Sequence, residues 1–139
     1  MPASLTHFAL HVADADSTAY FYRRFGDMQV VRAWENQDGG GLKVAWLKSA
    51  DVANPFVLVL LEGKSAQFGG DIQAKIGPLS HFGFALDSRE AVDAVARKGE
   101  AAGFLLMAPR DAGDIVGCHC YLQDPNGHSV EFSFGQALE

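Results

Sequence analysis

Leu5-Thr6-His7-Phe8-Ala9-Leu10-His11-Val12 returns 74 positions later as Leu79-Ser80-His81-Phe82-Gly83-Phe84-Ala85-Leu86, with Leu, His and Phe in register and Thr/Ser and Ala/Gly as near matches. Self-similarity at a fixed offset marks a repeated supersecondary unit, so the chain is read as two copies of one module. The residues C-terminal to each copy agree. After the first, Asp14 to Ser17 offers N-caps, Tyr20-Phe21-Tyr22 and Phe25 supply an apolar side, and Gly26 is the expected helix stop. After the second, Asp87-Ser88-Arg89-Glu90 reads as a capping box, Ala91, Val92, Val95 and Ala102 form the stripe, and Gly103 ends it.

Each helix is succeeded by three strand-like runs. The first set spans about Met28–Trp34, Leu42–Lys48 and Phe56–Glu62, and the second about Phe104–Met107, Val116–Gln123 and His128–Phe134. Asp38-Gly39-Gly40-Gly41, Asn54-Pro55 and Asp124-Pro125-Asn126-Gly127 mark turns between them. Each half is therefore βαβββ, and the expected fold class is α+β. Residues 1–63 form one module, 64–78 a glycine-rich linker and 79–139 the other. A half of about 65 residues covers both faces of its sheet poorly by itself, so the two modules are expected to pack as a single domain of curved mixed sheets.

Composition narrows the function classes. The chain has 139 residues, 48% of them hydrophobic, and 17 acidic against 11 basic side chains, for a formal net charge of −6. Such a balance repels phosphate backbones, and nucleic acid is not an expected partner. No apolar run approaches the roughly 20 residues of a membrane helix, and the opening residues lack a signal peptide's basic and apolar regions. A cytoplasmic protein without a membrane partner is expected. Cys118 and Cys120 are too close in sequence to close a useful loop and read as small buried hydrophobes.

Strand parity sorts the side chains. Phe8, Leu10 and Val12 oppose His7, Ala9 and His11; Phe82, Phe84 and Leu86 oppose His81, Gly83 and Ala85; Val130, Phe132 and Phe134 oppose Ser129, Glu131 and Ser133. The bulky apolar faces belong against the helices. His7, His81 and Glu131 are thereby turned to the other side, into the concavity that curved sheets enclose. Two imidazoles and one carboxylate are a donor set that binds a divalent transition metal and leaves positions open for water or substrate. His11, on the His7 face, is a candidate acid, base or supporting donor, balanced against a place on the exposed rim. His119, Tyr121 and Gln123 oppose Cys118, Cys120 and Leu122, so Tyr121 is expected to reach the cavity. His128 reads as a turn residue, Arg110 and Lys48 as charges available to an anion, and Trp46 as a cavity wall or a core residue.

The paired βαβββ modules, the His7-Phe-Ala-Leu-His-Val-Ala-Asp14 opening, the second His81-Phe-Gly-Phe84, and Tyr121-Leu-Gln-Asp-Pro-Asn-Gly-His-Ser-Val-Glu131 resemble the vicinal oxygen chelate superfamily. That superfamily includes glyoxalase I, extradiol dioxygenases, methylmalonyl-CoA epimerase, fosfomycin-resistance transferases and bleomycin-resistance proteins. The resemblance implies a cleft metal that chelates a small oxygen-rich substrate through neighbouring oxygens, with ligands at His7, His81 and Glu131, and a homodimer. Glyoxalase I-like members add a fourth ligand from the last strand of the first module. Matching Gly63 to Gly135 places Val59 there, and the 74-residue offset places Val57; Glu62 has the opposite parity and reads as a solvated strand end.

The remaining His, His, Glu set resembles extradiol dioxygenases and fosfomycin-type transferases. Fe(II) is the favoured metal, with Mn(II), Zn(II), Ni(II) and Co(II) alternatives, and Tyr121, His119 and His11 are the catalytic candidates. The chain departs from the dioxygenases in lacking their histidine within 66–80, and from the transferases in carrying Ala9 where they have threonine. A glyoxalase I-like lyase and a metal-free, bleomycin-resistance-type binding protein are the other readings. Substrate choice is assigned to loops such as 36–41 and 67–78.

Overall fold

The computed structural model describes residues 2–36, 42–63, 76–77 and 79–138; most of the linker and of the loop 36–41 lie outside them. The chain divides into two compact units, 1–74 and 75–139. In the first, β1 (His7–Val12) leads into α1 (Ala15–Gly26), followed by β2 (Gln29–Asn36), β3 (Leu42–Lys48) and β4 (Val57–Glu62). In the second, β5 (Phe82–Ala85) leads into α2 (Arg89–Ala101), β6 (Leu105–Asp111), the short α3 (Gly113–Val116), β7 (Cys118–Gln123) and β8 (Ser129–Phe134).

The sheets have the same connectivity, β1-β4-β3-β2 and β5-β8-β7-β6. β1 runs parallel to β4 and β5 parallel to β8, while the other pairs are antiparallel. Each unit is thus the expected βαβββ, an α+β arrangement with a mixed sheet. Both outer antiparallel strands are irregular: β2 shifts register between Val30 and Arg32, and β6 between Leu105 and Met107 and again before Arg110. Among the described residues no helix is long and apolar enough to cross a membrane.

Core formation follows parity. Leu10, Val12, Leu47, Leu58 and Leu60 are buried with Phe21, Tyr22 and Phe25 of α1, whereas Tyr20 of the same helix is exposed. On the second unit Val92 and Ala96 of α2 are buried, as are Cys120, Leu122, Val130 and Phe132 of the sheet. Gly99 belongs to this contact: a Cβ there would stand 2.6 Å from Leu122 Cδ2, so the missing side chain lets α2 approach β7 closely.

Several boundaries differ from the sequence reading. The left-handed residue after α1 is Asp27 (φ 52°), one position past Gly26, which stays helical. The N-cap of α2 is Ser88, whose side chain accepts from Ala91 N, so Glu90 falls one position short of a capping box. β6 continues through Pro109 to Asp111, tolerated because an edge strand has a side without ladder hydrogen bonds. Val116 belongs to α3, not to β7, which begins only after Gly117.

Candidate functional site

In the second unit three polar side chains meet on one face of the sheet. Tyr121 of β7 lies directly opposite Glu131 of β8, and Gly83 of β5 is opposite Glu131 on its other side. His81 precedes β5 and leans over the same strand. Its Nε2 is 2.9 Å from Glu131 Oε2, and the Tyr121 hydroxyl is 3.3 Å from that nitrogen and 3.4 Å from that oxygen. Gly83 keeps the floor open, since a Cβ would come within 3.2 Å of Glu131 Cβ.

The donor chemistry of this triangle fits a cation. His81 Nδ1 is 3.2 Å from the Leu79 carbonyl, which can only accept; in the tautomer with its proton on Nδ1, Nε2 offers its lone pair. Glu131, when ionised, offers another at Oε2. Two acceptors 2.9 Å apart require a proton or a metal ion between them. The other carboxylate oxygen is held: Gln136 Nε2 donates to Glu131 Oε1 at 2.5 Å. Strand parity does not identify Gln136, because it lies beyond the strand, past Gly135 (φ 84°), where alternation no longer indicates direction. Burial, followed by the charge of Glu131, raises the Tyr121 pKa and keeps its hydroxyl protonated at neutral pH.

His119 lies beside Tyr121, with ring centroids 5.6 Å apart and rings nearly perpendicular. It is buried, and its Nδ1 has no hydrogen-bond partner among the described residues. His119 pairs across the ladder with Ser133 on one side and Arg110 on the other.

His7 lies in the first unit. It is exposed, and its Nδ1 is 2.9 Å from Thr6 Oγ1, which leaves Nε2 uncommitted by that contact. Neither unit by itself gathers three His, Cys, Asp or Glu side chains among its described residues into a metal-holding group; the second supplies the pair His81 and Glu131. His11 bonds the Gly63 carbonyl through Nε2, which ties β1 to the end of β4.

Strand register answers which first-unit position corresponds to Glu131. Gly83 opposes Glu131 and Ala9 opposes Val59, so the counterpart is Val59, not Val57. By the same logic Tyr121 corresponds to Trp46, which opposes Val59. The polar triangle of the second unit thus has His7, Trp46 and Val59 in its place in the first. Glu62 faces away from this set and is not a solvated strand end: its Oε2 accepts from Ala15 N at 2.8 Å, at the start of α1.

The other candidates have structural partners. His128 is buried, and its Nδ1 accepts from Ile76 N at 3.0 Å, fastening the end of the linker to the turn before β8. That turn is held by Asp124 Oδ1, which accepts from Asn126 N and His128 N. Cys118 and Cys120 are free and buried, as expected of small core residues, and burial pushes the Cys120 thiol up to about 12.

Comparison with known proteins agrees with this architecture. The family model described as Glyoxalase/Bleomycin resistance protein/Dioxygenase superfamily matches residues 4–132. The chain is 43% identical over 138 residues to the uncharacterized protein PA2024 of Pseudomonas aeruginosa, covering 99% of this chain and 93% of that protein. Among solved structures it resembles a variant of the fosfomycin resistance protein FosX from Listeria monocytogenes, complexed with Mn(II) and 1S,2S-dihydroxypropylphosphonic acid, with a TM-score of 0.75 at 22% identity over 99% of this chain and 96% of that one. A possible glyoxalase from Bacillus cereus gives a TM-score of 0.71 at 23% identity, over 95% of this chain and 99% of that one.

Proposed function

Because the chain belongs to the Glyoxalase/Bleomycin resistance protein/Dioxygenase superfamily, we propose that it is a divalent-metal-dependent enzyme acting on a small oxygen-rich metabolite, with His7, His81 and Glu131 as metal ligands. The observation that carries this reading is the approach of His81 Nε2, Glu131 Oε2 and the Tyr121 hydroxyl to within 3.4 Å of one another. A bound divalent ion would supply Lewis acidity to two neighbouring oxygens of the substrate. Fe(II) is our first choice and Mn(II) our second, the latter because FosX is complexed with it.

The chain's own residues have separable tasks in this scheme. Gln136 and the Leu79 carbonyl orient the ligands. Tyr121, protonated at neutral pH, donates a hydrogen bond to a substrate oxygen where negative charge develops. His119, with an uncommitted Nδ1 beside Tyr121, moves the proton; His11, already bonded to Gly63, supports β1. Valine at the position corresponding to Glu131 favours the three-ligand branches over a glyoxalase I-like centre. We further propose a cytoplasmic homodimer.

The test begins with elemental analysis of protein purified without chelators. About one divalent ion per site is expected, lost or weakened by at least ~100-fold in Glu131→Ala, because a buried acceptor is removed from the set. Metal-free protein, with ligand binding unaltered by Glu131→Ala, would instead identify a bleomycin-resistance-type binding protein. Oxygen uptake with catechols then reports the dioxygenase branch, thioester formation from methylglyoxal and glutathione the lyase branch, and thiol addition to fosfomycin the transferase branch.

A further inference from the structure

The face of the first sheet that carries His7 differs in kind from its counterpart. One ladder row runs Arg32, Trp46, Val59, Ala9, and the next Trp34, Val44, Leu61, His11. In the second sheet the corresponding rows hold Tyr121 beside Glu131 and His119 beside Ser133. Since the two sheets share one topology, the fold does not require this face to be apolar. This face lines a half-open cavity of about 570 Å³, with Trp34, Trp46, Val57, Val59, Leu61 and His7 among its walls. That volume lies within the ~300–1,000 Å³ of small-molecule sites, which are mostly apolar with a few polar groups placed to orient the ligand.

The two indole rings stand edge to face, with centroids 5.8 Å apart, and Trp34 remains 45% exposed. An aromatic pair left open to water is a surface for a flat apolar partner. Among the described residues the charged groups on this face have one sign. Arg32 and Lys48 are its full charges, while Glu35 has the opposite parity and Glu62 is engaged at α1. Arg32 places its guanidinium 5.9 Å from the Trp46 ring centroid and forms no ion pair with a described residue. Arg32 lines the adjoining surface cleft that shares Trp34 and Trp46 with the cavity, and a cation resting on an indole keeps its N–H donors available for a carboxylate beside that aromatic pair.

We infer that this face binds a small organic anion with an aromatic body, the ring seated between Trp34, Trp46 and Val59 and the acidic group at Arg32. That this anion is the substrate rests on the function proposed above; its binding is measurable without metal. Trp34 and Trp46 are the two tryptophans of the chain, so all indole emission comes from this pocket.

Intact protein, treated with chelator or loaded with Mn(II), is titrated with 3-phenylpropionate and, separately, with the neutral 3-phenylpropionamide while tryptophan emission is followed. A saturable change with half-saturation below about 1 mM is expected in both metal states. Arg32→Gln should weaken the acid about tenfold and leave the amide unchanged, the loss of one charge-assisted contact. Trp34→Ala, checked for folding by circular dichroism, should weaken both probes at least about fivefold, read through Trp46. No saturable response to the acid, or an acid affinity indifferent to Arg32→Gln, overturns the inference. A response retained in a Glu131→Ala protein that has lost its metal supports it. If wild-type protein holds no metal yet responds, the inference stands and only the metalloenzyme reading falls.

Discussion

At the residue scale the telling contact is the one on the far oxygen of Glu131. A carboxylate with one oxygen held by Gln136 has lost a rotational freedom it would otherwise surrender on binding a cation, so the amide prepares the ligand. Gln136→Leu should therefore weaken divalent metal binding about tenfold or more without unfolding the protein, measured by competition with a coloured chelator. Unchanged affinity would make Gln136 a bystander. Parity along β8 and the repeat of Leu-His-Phe are enough to single out His81 and Glu131. Gln136 and Leu79 are beyond that logic, because each acts from a turn where direction depends on local dihedral angles.

At the element scale α1 begins under two acidic groups. Asp14 accepts from Ser17 N at 3.1 Å, and Glu62 reaches from β4 to Ala15 N at 2.8 Å. Both place negative charge where a helix N-terminus is electropositive and has unpaired N–H groups. Glu62→Ala should cost about 1 kcal/mol in denaturant unfolding and leave metal content unaltered; loss of metal would instead return Glu62 to the ligand set.

The elements themselves were readable because helix and strand periods alternate cleanly and the second module repeats the first. The ends were less so. Ser88 takes the cap from Asp87 because its hydroxyl reaches Ala91 N, a choice between adjacent cap-forming residues that pattern does not resolve. α3 is a four-residue turn between Gly113 (φ 94°) and Gly117 (φ 78°), too short to have a period. The equivalence of Val59 and Glu131 needed the ladders, since the spacing between repeats differs from strand to strand.

At the scale of the whole molecule, acid is expected to weaken the fold. Asp14 is held below the usual carboxylate range by its hydrogen bonds from Ser17, and Asp111 by the Gly113 N–H and Arg89. A folded pKa lower than the unfolded one contributes stability that is present above the unfolded value, about 3.9, and lost as pH falls through the folded one. Thermal midpoints should thus fall progressively below about pH 4, and Asp14→Asn should lessen that slope in a pH series of melts. The thiols report the same event: with Cys118 and Cys120 buried, a thiol-reactive dye should label native protein slowly and both cysteines on unfolding. Rapid native labelling would show that the sheet of the second unit opens locally.

The register slips in β2 and β6 bear on how the protein behaves while it is being made. A newly synthesised module with its outer antiparallel strand exposed is vulnerable to capture by another unfinished chain, which needs a straight run of unpaired N–H and C=O groups to grow against. The irregularities at Val30–Arg32 and Leu105–Arg110, with Pro109 removing one donor, interrupt that run in both modules. Two closely similar halves on one polypeptide are the kind of neighbours most prone to mispair, and each therefore has its own guard against amyloid-like growth along that flank.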